Sequence, residues 1–273
     1  MQCPACAGVD VQSIEDWPVR DRQVVACWEC GLLFLHPQPD PATLEAYYAA
    51  GGGWQSGRPD PPDDRAQRKT KRAASIMFAV LDRFLDATRP QPGARVLDYG
   101  CGTGSWLNSF QDHGWETFGI EPSSSVAFVR HHRLLAVPEE PLFDLVILYH
   151  VLEHLPRPLD TLRALAQAVR PGGFCLVSVP RLDMVHVYGD RNYCLNPRKH
   201  IVAFTEACLR GLLARGGFST VTALHDLDDA FSKGQPLKLR LLAQRAPVAP
   251  PLPDPAAALH AVIGHLAPLS RAR

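Results

Sequence analysis

The sequence has no excess of either charge, no long uninterrupted apolar run, and no internal repeat. Twenty-eight Lys and Arg balance twenty-eight Asp and Glu, so no global field draws the chain to nucleic acid or to an anionic membrane. Any such role must rest on local clusters. The longest apolar stretch, Leu142 to Leu155, is broken by Asp144, His150 and Glu153 and falls short of the roughly 18 residues a membrane span needs. The opening "MQCPACAGVD" lacks the basic and apolar segments of a secretory leader, so the chain is expected to be cytoplasmic. In that compartment its eight cysteines stay reduced and are free for other uses.

What is present is 46% hydrophobic content over 273 residues, enough for one large domain and a small module. The expected organisation is a cysteine-rich module over 1–40, a helical lid or linker over 41–90, a large domain over 91–246, and a proline-rich linker with a C-terminal helix over 247–273. Asp40 followed by Pro41 reads as a helix start, and "GGGWQSGRPDPPDD" as a loop. From Ala94 strands and helices alternate: "ARVLDYG", "SWLNSFQDHG", "ETFGIEP", "SSSVAFVRHH", "FDLVILYHVLEHL", "LDTLRALAQAVRPGG" and "FCLVSVP". The helix "TEACLRGLLARGGF" and the strands "STVTALHDL" and "PLKLRLLAQRA" follow. Such alternation predicts an α/β fold with a mostly parallel sheet covered on both faces.

Cys3-x-x-Cys6 and Cys27-x-x-Cys30 have the spacing of a four-thiolate structural zinc site. A module this small has too little core to fold without such a staple. Four thiolates leave no open position, so a zinc ion held there would not catalyse.

"VLDYGCGTG" ends a strand in an acid and three alternating glycines: Asp98, Gly100, Cys101, Gly102 and Gly104. A dinucleotide fingerprint needs Gly-x-Gly-x-x-Gly, but Ser105 holds the position where its third glycine would have to fall. Asp98 would also face a doubly negative pyrophosphate, whereas it attracts the cationic ammonium and sulfonium of S-adenosylmethionine. Glu121, at the end of the next strand, is placed to accept hydrogen bonds from two ribose hydroxyls.

Together "VLDYGCGTG", "GIEPS", "FDLVILYHVLEHLPRP" and "RPGGFCLVSVP" make residues 94–245 resemble a class I S-adenosylmethionine-dependent methyltransferase. The resemblance implies a Rossmann-like seven-stranded sheet with its last strand antiparallel and the cofactor at the carboxyl ends of the first strands. By position, Asp98, Gly100, Cys101, Gly102, Gly104, Glu121 and His150 would contact it. The stretch after Glu121 has no clear Asp for the adenine amino group, so Glu139 or Glu140 is expected to substitute. A cysteine-rich start followed by a tyrosine-bearing helix, here "LEAYYA", resembles bacterial methyltransferases of sugars, glycans and secondary metabolites.

"HVLEH" spaces His150, Glu153 and His154 to share a face if helical. His150, His154 and His200 are the candidate catalytic residues, a base being needed for a hydroxyl or carbon-acid acceptor. Methyltransferases of ubiquinone biosynthesis and of small-RNA ends carry a similar Glu-x-x-Glu-His that binds a divalent metal. Here His150 stands in place of the first Glu, which suits magnesium poorly. Tyr188, Arg191, Tyr193, Arg198, Lys199 and His200, with Tyr47, Tyr48 and Trp54, are candidates for an acceptor pocket wall. "RAQRKTKR" reads as a wet basic helix face. The expectation is methyl transfer to oxygen or carbon of a small-molecule acceptor, a sugar or natural-product precursor; RNA methylation and non-catalytic cofactor binding are the rivals.

Overall fold

The computed structural model describes residues 1–15, 17, 19, 21–50, 78, 93–122, 130–185, 194–195, 199–224, 238–246 and 254–270, with side chains in the last segment up to Ile263. Trp54, Tyr188, Arg191, Tyr193 and Arg198 lie outside the described residues, as do the basic stretch and the proline-rich linker.

Eleven strands form two sheets among the described residues. The larger contains β4 (Arg95–Tyr99), β5 (Glu116–Ile120), β6 (His132–Arg133), β7 (Phe143–Tyr149), β8 (Val169–Pro180), β10 (Phe218–Ala223) and β11 (Lys238–Arg245) in the order β10-β11-β8-β7-β4-β5-β6. The last strand, β11, runs antiparallel to both of its neighbours, and the other pairings are parallel. This is the seven-stranded Rossmann-like arrangement the sequence predicts. Helices α2 (Ser105–Asp112), α3 (Pro158–Ala168) and α4 (Glu206–Arg215) cover it. One face buries Val96, Leu145, Ile147, Leu176 and Leu242 against Leu107 and Phe110 of α2. The opposite face buries Leu97, Val146, Leu148, Val177 and Val179 against α3 and α4. Apolar residues on both faces are what a sheet between helical layers requires.

The smaller sheet joins β1 (Val11–Ser13), β2 (Gln23–Cys27) and β3 (Leu33–His36) to β9 (Val202–Ala203), in the order β1-β2-β3-β9. Leu33 pairs with Ala203 and Phe34 with Val202, so the cysteine-rich segment borrows a strand from the far end of the chain. Val25, Leu33, Phe34 and Leu35 accordingly share one core with Leu209 and Leu212 of α4. Helix α1 (Pro41–Ala49) starts as the sequence predicts, with the Asp40 side chain accepting from the Thr43 N–H and Pro41 in the first turn. Helix α5 (Pro255–Ser270) returns to the small sheet, where the His260 ring packs at a tilt of 34° against Trp28 with centroids 4.3 Å apart.

Three local expectations are corrected. "HVLEH" is not an α-helix: His150 takes a left-handed backbone, φ +58°, and only Leu152–His154 form a single 3-10 turn. The helix read through "VRHH" does not include His132, which begins β6. Helix α3 stops at Ala168, and "VRPGG" opens β8, because Pro171 cannot donate to a helix and disfavours helical dihedrals in the residue before it.

Candidate active site

The carboxyl ends of β4, β5 and β7 meet at one edge of the large sheet. Asp98, the fourth residue of β4, is buried there, and the chain then turns through Gly100, Gly102 and Gly104, all at positive φ. A Cβ on Gly100 would lie 2.6 Å from Val151 Cγ2, so this turn tolerates no side chain there. The Gly100 and Cys101 N–H groups donate to the Ile120 carbonyl, tying the turn to β5. Glu121 follows that strand, and its Oε2 accepts from the Gly102 N–H at 3.0 Å. Asp98, the glycines and Glu121 thus form one constellation, although they come from different strands. Burial, reinforced by the charge of Glu121, pushes the Asp98 carboxyl up to about 7. An ammonium group beside it would reverse that shift, which is the chemistry expected of a site for a cationic ligand. Cys101 is buried beside the turn, and burial, with the charges of Asp98 and Glu121, raises its thiol. Glu139 and Glu140 are exposed on the segment between β6 and β7.

Just past β7, His150 Nδ1 lies 2.9 Å from Glu153 Oε1. A carboxylate can only accept, so Nδ1 carries a ring proton, and in the neutral imidazole Nε2 carries the lone pair. That Nε2 is shielded from water and has no partner among the described residues, and neither has Glu153 Oε2. Glu153 is fully buried. Burial is the largest influence on its carboxyl and works to raise it, but the His150 hydrogen bond and the fields of His150, His154 and His200 outweigh it and hold the group below its ordinary value. His154 Nδ1 is 2.8 Å from the Lys199 carbonyl and 2.9 Å from the Tyr48 hydroxyl. Since a carbonyl only accepts, Nδ1 carries the proton here too, and Nε2 faces Glu153 Oε1 at 4.0 Å. The His200 ring completes the group, 4.9 Å from that of His154. Glu153, His154 and His200 each offer a ligand atom, all within 4.8 Å of one another. The structure therefore brings His150, His154 and His200 together around one buried acid, with Tyr48 of α1 at the rim. Tyr47 packs edge-on against Tyr48.

The four cysteines of the N-terminal segment also converge, their sulfurs all within 4.8 Å. Cys3 and Cys30 Sγ are 3.6 Å apart, as are Cys6 and Cys27 Sγ. Tetrahedral zinc with Zn–S bonds of about 2.3 Å places sulfurs roughly 3.8 Å apart, so the cluster fits that ion. Hydrogen bonds from Cys27 and Cys30, together with burial, hold the Cys3 thiol above its ordinary range. Cys208 of α4, buried in the same core, helps to raise the Cys30 thiol, so a fifth cysteine lies beside the cluster.

The family model for the methyltransferase domain matches residues 67–223, more than half of the chain. The chain belongs to this family. Residues 67–223 are a methyltransferase domain. A ubiquinone biosynthesis O-methyltransferase from Alkalilimnicola ehrlichii is 35% identical over 102 residues, covering 32% of this chain and 41% of that protein. A tRNA U34 carboxymethyltransferase from Pseudoalteromonas translucida is 29% identical over 163 residues, covering 51% of this chain and 49% of that one. The chain spans less than half the length of these curated relatives. Among solved structures, the Burkholderia thailandensis 1,6-didemethyltoxoflavin-N1-methyltransferase, with S-adenosylhomocysteine bound, has a TM-score of 0.56 at 18% identity over 84% of this chain and 98% of its own. The magnesium protoporphyrin IX methyltransferase of Synechocystis, also with S-adenosylhomocysteine bound, has a TM-score of 0.54 at 18% identity over 76% of this chain and 100% of its own. At these identities the structural likeness establishes the fold.

In this methyltransferase several polar groups beside the site escaped the sequence reading. Tyr149, Ser178, Lys238 and Arg240 meet on one face at the same edge, and Arg240 is only 1% exposed. Strand periodicity points the other way: Lys238 and Arg240 alternate with Leu239 and Leu241, the pattern of a solvent-facing side. Cys208 carried no spacing signal because its partners lie far away in sequence.

Proposed function

We propose that this methyltransferase carries a methyl group from S-adenosylmethionine to an oxygen or carbon of a small-molecule acceptor, a sugar or natural-product precursor, with His150 as the base. The observation that carries the reading is His150 Nε2, buried and unpartnered beside a fully buried glutamate that fixes the opposite ring nitrogen. A base is of use only where the acceptor must lose a proton, as a hydroxyl or carbon acid does.

Bound at the glycine turn, the cofactor supplies a sulfonium-activated methyl group. Asp98 would attract its ammonium, the backbone of Gly100, Cys101, Gly102 and Gly104 would approach it closely, and Glu121 would accept from its ribose hydroxyls. His150 takes the acceptor proton on Nε2, and Glu153 stabilises the imidazolium that results. His154, anchored by Lys199 and Tyr48, and His200 keep Glu153 ionised so that it performs this role. Cys3, Cys6, Cys27 and Cys30 would hold a structural zinc ion that shapes the small sheet and takes no part in transfer.

A second reading rests on the clustered donors of Glu153, His154 and His200, which suit a divalent transition metal better than magnesium. Such an ion would orient acceptor hydroxyls. Elemental analysis separates the readings: a histidine-bound metal is lost in His154→Ala and His200→Ala while the zinc at the cysteines is kept.

The test of the main reading is transfer of label from methyl-labelled S-adenosylmethionine into small metabolites or RNA of a cell extract. Label in the small-molecule fraction, reduced about 100-fold in His150→Ala, is the expected result. Label in RNA transfers the activity to a nucleic-acid acceptor, and binding of S-adenosylmethionine without transfer to any fraction makes the protein a cofactor-binding scaffold.

A further inference from the structure

Beside the proposed base, the edge of the large sheet carries a second polar group that the transfer step does not use. Tyr149 ends β7, Ser178 is its register partner on β8, and Arg240 is the partner of Ser178 on β11. Residues paired in register share a face, and this is the face that also carries Asp98, whose partner on β7 is Ile147. Lys238 opens β11 two residues before Arg240.

The chemistry of this row is directional. Arg240 is always charged and can only donate, and its Nη2 lies 3.3 Å from the Tyr149 hydroxyl. The phenol oxygen therefore accepts from the guanidinium, and its own proton is left to be donated elsewhere. Trp106 of α2 packs against the phenol ring with centroids 4.9 Å apart, fixing its plane. Lys238 Nζ and Arg240 Cζ lie 5.8 and 5.9 Å from the same ring centroid, so two cations stand against the ring that carries this hydroxyl. Ser178 Oγ, fully buried alongside, has no hydrogen-bond partner among the described residues. A buried hydroxyl without a partner is uncommon in a native fold and points to a group supplied from outside.

We infer that Tyr149, Ser178 and Lys238, with Arg240 positioning Tyr149 from behind, form a subsite for an oxyanion carried by the methyl acceptor, a carboxylate or a phosphate. This deepens the small-molecule reading and rests on it. The methionyl carboxylate of the cofactor is the rival occupant, because Lys238 Nζ reaches the Tyr149 ring on β7, the strand next to β4; a loss of S-adenosylhomocysteine affinity in Lys238→Met would assign the subsite to the cofactor and overturn the proposal. His150 follows β7 and Lys238 opens β11, two strands away, so the methylated atom and the acid belong to different ends of the acceptor.

The experiment splits a cell metabolite extract on an anion exchanger and offers both pools to the enzyme with methyl-labelled S-adenosylmethionine. Label is expected in the retained, anionic pool. Prior treatment of that pool with alkaline phosphatase abolishes labelling if the anion is a phosphate and leaves it intact if it is a carboxylate. In Lys238→Met, KM for the retained pool rises about ten-fold or more with kcat little changed, because the anion sits far from the reacting atom. Affinity for S-adenosylhomocysteine stays at the wild-type value and verifies the fold. Tyr149→Phe shifts KM in the same direction. Label in the unretained pool, or a Lys238→Met KM equal to wild type, overturns the subsite while leaving the small-molecule reading in place. Absence of label from both pools overturns that reading and the subsite with it.

Discussion

Glu153 Oε1 lies 2.9 Å from His150 Nδ1, and the acid is fully buried while the histidine side chain stays 26% exposed. The pair acts as one unit, so Glu153→Gln and His150→Ala are each expected to lower kcat about 100-fold, and the double variant no further. S-adenosylhomocysteine affinity is unchanged in all three. Losses that multiply in the double variant would show that the two residues work independently.

Asp98 makes stability depend on the cofactor and on pH. Its folded value, about 7, is above that of the unfolded chain, so its contribution is fully present below the unfolded value and is lost as pH rises through about 7. Cofactor-free protein should lose on the order of a few kcal/mol from this group between about pH 4 and 7. Asp98→Asn is expected to be more thermally stable than wild type at pH 8 without cofactor, and to bind S-adenosylmethionine about 100-fold more weakly. Thermal melts across pH, with and without S-adenosylmethionine, read both effects.

Gly100→Ala combines two costs: a left-handed φ of +79° and a Cβ 2.6 Å from Val151 Cγ2. Together these destabilise by about 2–4 kcal/mol. Adding Val151→Ala removes the overlap and leaves the backbone strain, so the double variant recovers part of the loss. Denaturant melts of the three proteins check the order.

Elemental analysis is expected to find about one zinc per chain, lost in Cys27→Ser. Loss of the ion lowers the thermal midpoint by about 10 °C. It also weakens acceptor turnover, because Leu35 N–H donates to the Ile201 carbonyl and Ile201 N–H donates to the Glu153 carbonyl. Turnover unchanged in metal-free protein would uncouple the small sheet from the site.

Local chemistry was readable in the sequence, and long-range assembly was not. The glycine turn announced itself because Asp98 and three glycines must be contiguous to make it, and the cysteines because a tetrahedral ion fixes their spacing. The strand-helix alternation gave a mostly parallel sheet, and the family resemblance supplied its seven strands and its antiparallel last member. The "HVLEH" stretch misled because i, i+3 and i+4 spacing brings side chains together in a 3-10 turn as well as in a helix. Strand β9 escaped because two residues carry no periodicity; only the exposed edge of β3 explains them. Arg240 escaped because its burial depends on neighbours from three strands that no window of sequence contains.

Strand β9 also sets a schedule. Leu33 emerges from the ribosome early and Ala203 late, so the small sheet waits for most of the chain before its edge is closed. Until then β3 presents unpaired backbone and the apolar Leu33, Phe34 and Leu35, the kind of edge that aggregates. Early capture of zinc by the cysteines, which all precede β3, would hold that nascent hairpin in shape during the wait.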